Sequence, residues 1–141
     1  MEILVQKTEN FVINLLNNKL SNQFTYHNKS HTIRVVKKVK ELCKLKNISL
    51  EDTEKVLIAA WFHDTGFTVN PNNHEEESIK IASNFLKDNN KDENFITAIS
   101  NLIAITKLEN IPKSDLEKLI RDADCSHLGS KNYEEFSLLI Q

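Results

Sequence analysis

Apolar residues along the chain recur at three- and four-residue spacings, and no stretch sustains the alternation of a half-buried strand. The pattern predicts about seven helical segments. The first runs near Glu2–Leu20, with Leu4, Phe11, Val12, Leu15 and Leu16 on one side. The second runs from about Ser30 to Asn47 and buries Val35, Val36, Val39 and Leu42. The third opens at Ser49 or Asp52 and reaches about Asp64; Ser49 followed three residues later by Asp52 is a weak capping signal. A fourth is expected from Asn73 to Asn89, a fifth over Glu93–Lys107, and a sixth after Pro112, capped by Ser114 and ending near His127. A last segment starts near Asn132. Short connections between such segments predict an all-α fold, a compact bundle of about six to seven helices forming one domain over residues 1–141.

Composition sharpens this picture. Only two glycines and two prolines interrupt the chain, which favours helices. With 40% hydrophobic and 27% charged residues, the chain has the balance of a globular protein with one core. Its net charge of −2 gives no global case for nucleic acid as a partner. Lys37, Lys38, Lys40, Lys44 and Lys46 form a local basic run, read as the solvated face of a helix. No apolar stretch approaches the ~20 residues of a membrane span, and the N-terminus lacks a signal pattern. Cys43 and Cys125 make no disulfide framework and suit a reducing, cytoplasmic compartment. Cys43 reads as core; nothing in the sequence around Cys125 activates its thiol.

Candidate chemistry enters through ionisable residues that fall in line with core-facing ones. His31 begins a stripe continued by Val35, Val39 and Leu42, and His63 ends one that reads Val56, Ala60, His63. His74 heads Ser78, Ile81 and Phe85, Glu75 heads Ile79, Ala82 and Leu86, and Asp124 follows Leu116 and Ile120. Burying such groups singly is expensive, and a shared cation is an economical partner. Imidazole with carboxylate suits Zn, Fe, Mn, Co or Ni rather than Ca. Neighbours on a helix point about 100° apart, so His63 and Asp64 approach one cation only if the helix ends there. Gly66, two residues on, reads as the terminator. Each feature alone is commonplace; a lone histidine on an apolar face is more often an ordinary core residue.

The ordered combination is more specific. Tyr26-His27-Asn28-Lys29-Ser30-His31-Thr32, then Trp61-Phe62-His63-Asp64-Thr65-Gly66, then Asp122-Ala123-Asp124 with Leu128-Gly129, resembles the HD-domain superfamily of metal-dependent phosphohydrolases, over about Phe24 to Gly129. His74-Glu75-Glu76-Glu77-Ser78 resembles a segment of its small bacterial members. The resemblance implies His31, His63, Asp64 and Asp124 as ligands of a divalent metal ion (Mn, Fe, Zn, Co, Ni or Mg), with Asp124 preferred to Asp122 because it lies nearer the following Leu-Gly. It implies hydrolysis of a small-molecule phosphate ester, a nucleotide or cyclic nucleotide, by metal-activated water. Asp64 would orient that water, and His27 would assist the leaving group unless it only bonds locally at a helix entry. Glu75 is a further catalytic candidate, with a plain helix-start acid as the alternative. His74 is a candidate for a second metal or for substrate. Lys107 is a candidate phosphate contact, against the ordinary reading of a surface lysine, and His127 can simply cap a helix end.

The chain also departs from the family's larger members. Only His74 lies where two-metal relatives carry extra histidines, and the chain stops at Gln141, where many relatives add a further helix, so the domain is expected to be minimal or incomplete. Two alternatives stay open: a catalytically silent nucleotide-binding regulatory module, and an HD-fold di-iron oxygenase that would need His74 and one more histidine.

Overall fold

The structure is a computed structural model, and it describes residues 2–19 and 22–125, with side chains for 3–18, 29–70 and 72–125. Within these residues there are six α-helices and no strand: α1 (Glu2–Lys19), α2 (Asn22–Leu45), α3 (Leu50–Phe62), α4 (His74–Asp88), α5 (Glu93–Ala104) and α6 (Asp115–Asp124). Two short 3₁₀ turns, Thr65–Thr68 and Pro71–Asn73, link α3 to α4. The seventh segment expected near Asn132 lies outside the described residues, as do His127 and Gly129.

Helix α3 is the axis of the molecule. Its residues Val56 to Phe62 are buried without interruption, so the helix is apolar all round and must be covered on every side. The other five helices pack against it. Val12 and Leu16 of α1, Val35 and Val39 of α2, Leu86 of α4, Ile99 and Ile103 of α5, and Leu119 and Ile120 of α6 fill the surrounding core. Phe11, Phe62 and Phe85 form a tilted aromatic triangle with ring centroids 4.9–5.9 Å apart.

Local chemistry fixes the helix ends. The Ser49 hydroxyl accepts from the Asp52 amide at 3.1 Å, and Asp92 caps α5 through the Phe95 amide at 2.9 Å. At α6 a full capping box closes: Ser114 Oγ accepts from the Glu117 amide while Glu117 Oε1 accepts from the Ser114 amide. Glycine does not end α2 and α4. Asn47 (φ 53°) and Asn90 (φ 64°) take the left-handed position, and the following amides of Ile48 and Lys91 reach back to Cys43 and Leu86.

Two helix boundaries differ from the sequence expectation. Helix α2 begins at Asn22, eight residues before Ser30. The stretch 22–29 is too polar to show an apolar stripe, yet it holds no glycine or proline to stop the helix. Helix α5 ends at Ala104, not Lys107, because the Thr106 and Lys107 amides turn back to the carbonyls three residues earlier and the Thr106 hydroxyl bonds the Ile103 carbonyl.

Candidate metal centre

Four elements deliver the site. His31 lies in the third turn of α2, His63 caps the end of α3, Asp64 leads into the 3₁₀ turn that follows, and Asp124 closes α6. The end of α3 at Phe62 is what allows adjacent residues to face the same space. Asp64 leaves the helical conformation (φ −113°, ψ 7°), so its carboxylate swings beside the His63 ring.

Gly66 follows, but it is not a left-handed terminator, since no glycine among the described residues has positive φ. The reason for glycine is proximity. A Cβ there would collide with the His74 carbonyl oxygen and stand 2.7 Å from the Ser78 amide nitrogen. The turn after α3 thus lies directly on the first turn of α4. Ser78, buried beneath it, joins the two: its hydroxyl accepts from the Gly66 amide at 2.8 Å and donates to the His63 carbonyl at 2.9 Å. Sequence reasoning had placed Ser78 in an apolar stripe; a small polar residue at such a position is the only local sign of this role.

The side chains converge. His31 Nε2 stands 2.9 Å from Asp124 Oδ1 and 3.5 Å from Asp64 Oδ2. His63 Nε2 stands 3.2 Å from Asp64 Oδ2 and 3.3 Å from Asp124 Oδ1. His31, His63 and Asp124 each offer a donor atom within 4.8 Å of the others, and Asp64 lies against that set. Asp122, two residues before Asp124, is exposed.

His63 gives the test of whether a cation fits. The ring is buried, and its Nδ1 donates to the Ala60 carbonyl at 2.6 Å. That bond fixes the ring and leaves Nε2 facing the carboxylates, where it has no hydrogen-bond partner. A buried polar atom of this kind needs a partner. The two carboxylate oxygens within 3.3 Å of it do not meet that need in hydrogen-bond geometry, and two imidazoles with two carboxylates form a donor set that a divalent transition metal satisfies.

The electrostatics point the same way. Burial alone pushes the His63 pKa down, but the charges of Asp64 and Asp124 outweigh it and hold it well above the ordinary imidazole value. Burial likewise pushes both carboxyls up, yet facing histidines, His63 foremost, hold Asp64 and Asp124 below the usual carboxylate range. A group of negative oxygens here calls for positive charge, supplied by a proton or by a cation.

The second-tier residues fall beside this centre. His74 Nε2 stands 3.3 Å from Asp64 Oδ1 and 3.0 Å from Glu75 Oε2, and the His74 ring stacks on Phe67 at 4.1 Å between centroids. Asp64 therefore turns one oxygen to His31 and His63 and the other to His74. Lys107 sits in the turn after α5, its ammonium 3.9 Å from Glu76 and 3.9 Å from Glu109, as a half-exposed lysine between acids. His27 falls on α2 one turn before His31, and its side chain lies outside the described residues. Cys125 abuts the centre in sequence, but burial and the Asp124 charge push its thiol pKa up, as expected of an unactivated thiol. Cys43 is a buried core residue, its thiol also pushed up by burial.

One further residue escaped the sequence reading. The Arg121 guanidinium donates to the carbonyls of Ile105, Lys107 and Asn110, tying the α5–α6 connection to the turn of α6 that precedes Asp124.

No helix among the described residues is long and apolar enough to cross a membrane. Searches of curated proteins and of solved structures return no match. The family model for the HD domain matches residues 28–129, a span that runs from just before His31 to beyond Asp124. On that match, this chain belongs to the HD domain family.

Proposed function

We propose that the protein is a metal-dependent phosphohydrolase acting on a nucleotide, cyclic nucleotide or similar small phosphate ester. The observation that carries the reading is the convergence of the buried Nε2 of His63 with the Asp64 and Asp124 carboxylates, within 3.3 Å of each but in hydrogen-bond geometry with neither, and with His31 across from it. His31, His63, Asp64 and Asp124 would hold the cation. When bound, a divalent cation supplies Lewis acidity to the phosphoryl group and makes hydroxide available near neutral pH.

The chain's own residues divide the remaining work. The Ala60 carbonyl holds the His63 ring in one orientation, and Ser78 holds the backbone on either side of Asp64. Asp64, with one oxygen facing the histidine pair and the other facing His74, would orient the attacking water. Glu75, 3.0 Å from His74, would accept that water's proton. His27, one turn from His31, would protonate the departing oxygen. Lys107 would attract the phosphate by charge only if it leaves Glu76 and Glu109.

One observation favours a two-cation variant. Each Asp64 oxygen faces a different group, and His74, 3.3 Å from Asp64 and 3.0 Å from Glu75, would with Glu75 be the residues to hold a second ion. An oxygenase would need one more histidine besides His74. Elemental analysis of the native protein, followed by a phosphate-release screen over nucleoside mono-, di- and triphosphates and cyclic nucleotides, tests the proposal. Metal near one per chain with phosphate release supports it. Two irons per chain with oxygen consumption would assign the oxygenase instead. Nucleotide binding without turnover in metal-replete protein would leave a regulatory module.

A further inference from the structure

The basic run of α2 is not spread evenly around the helix. Ile33, Lys37, Lys40 and Lys44 follow one another at four-, three- and four-residue steps, which places them on a single stripe about 16 Å long. At 100° per residue, this stripe lies roughly 180–240° round the helix from His31, so it faces away from the metal centre. Lys37, Lys40 and Lys44 are exposed, and none has a carboxylate within 4.0 Å among the described residues.

Two hollows flank the stripe, and Lys37 and Lys40 line both. One, of about 320 Å³, lies between α1, α2 and α3 over Ile13, Ile33 and Trp61. The other, of about 750 Å³, lies between α2 and the start of α3 over Cys43, Ile48 and Leu50. Leu50 is 74% exposed and Ile33 44% exposed, so apolar surface adjoins the charges at both ends. Two acids sit at the rims, Glu9 and Glu41, and Glu41 is engaged by Lys38 at 3.6 Å.

We propose that this face of α2 is a docking surface for an acidic amphipathic helix of a partner protein. Acidic residues one turn apart on such a helix rise at the same pitch as Lys37, Lys40 and Lys44, and its apolar face would enter the two hollows. The elongated, three-turn shape fits a helical segment better than a compact ligand. Single-stranded nucleic acid is disfavoured because the hollows present no exposed aromatic ring for base stacking: Trp61 is 4% exposed. Charge complementarity of this sort speeds and orients association and weakens with salt.

The test uses the full chain and a fluorescent, helix-stabilised peptide of about 15 residues with Glu at the matching positions and Leu on the adjoining face. Its analogue with Gln for Glu and a single-stranded oligonucleotide serve as comparisons. Binding is read by anisotropy, and amide chemical shifts map where it occurs. The Glu peptide is expected to bind along 33–50, with affinity lowered roughly tenfold by K37E/K40E/K44E and lowered again between about 50 and 300 mM salt. The milder K37Q/K40Q/K44Q variant, expected to melt with the parent, should weaken binding by roughly threefold or more. Equal binding by the Gln variant, no binding of the Glu peptide at about millimolar concentration, or tighter binding of the oligonucleotide to this face would each overturn the proposal.

Discussion

Replacing Gly66 with alanine adds one methyl group at the most crowded backbone contact near the metal centre. The new carbon would overlap the His74 carbonyl oxygen and lie 2.7 Å from the Ser78 nitrogen, where ordinary contact begins near 3.4 Å. Both obstacles are backbone atoms in the first turns of α4, so no side chain can rotate away. Relief requires the turn after α3 and the start of α4 to separate by about an ångström or more, which places the cost at no less than the upper end of overpacking, about 3 kcal/mol. That separation also stretches the Gly66–Ser78 and Ser78–His63 hydrogen bonds, with up to ~1 kcal/mol for each. Loss of unfolded-state freedom on changing Gly to Ala offsets roughly 0.4–1 kcal/mol. The net is a destabilisation of about 3 kcal/mol, or roughly 10 °C in Tm for a chain of this length. Thermal unfolding of the cation-free protein by circular dichroism measures it, and calorimetric titration should show weaker metal binding because Asp64 and His74 lie on the parted segments. A Gly66→Ala protein that melts within about 2 °C of the parent would refute the close-approach argument.

Other outcomes follow from the same geometry. Asp64→Ala should abolish both metal content and phosphate release; activity retained by metal-free protein would defeat the functional reading. In the cation-free protein the raised His63 pKa contributes stability that is complete below about pH 6.5 and is lost as pH rises through the folded value. The lowered Asp64 and Asp124 values contribute stability present above about pH 4 and lost as pH falls below it. Chemical denaturation across pH should therefore show the cation-free form weakening above about pH 6.5 while the metal-loaded form does not; a flat cation-free profile there would contradict the assignment. Ser78→Ala leaves the buried Gly66 amide and His63 carbonyl without their partner and should lower stability by about 2–4 kcal/mol, as measured by urea unfolding. Ser114→Ala, at the exposed start of α6, should lower it by only about 1 kcal/mol, and equal losses for the two serines would argue against a special role for Ser78.

Much of this architecture is legible in the residues themselves. The helices announce themselves through apolar spacing, and His31, His63 and Asp124 stand out because each lies in register with core positions of its own helix. What spacing cannot show is which of these groups meet. Their convergence depends on how α2, α3 and α6 cross, and only the ordered motif, by resemblance, carried that information. The start of α2 is not legible because a polar stretch carries no apolar stripe. Ser78 and Arg121 were missed for a related reason: their partners are backbone atoms, which have no signature in the sequence. Gly66 was noticed but misread, because a glycine required by a neighbouring segment looks the same as one required by its own dihedral angles.

Arg121 bears on why one acid of Asp122-Ala123-Asp124, and not the other, turns inward. The two aspartates point about 200° apart around α6, so exchanging them would take nearly half a turn of that helix. Burial of Leu119, Ile120 and Ala123 sets the azimuth of α6, and the guanidinium fork, gripping three carbonyls of the preceding connection, works as an index pin that holds it there. Selection between two chemically identical side chains is thus made by groups outside the donor set, and a chain with the same DAD triplet on a helix with a different apolar face would offer the other carboxylate.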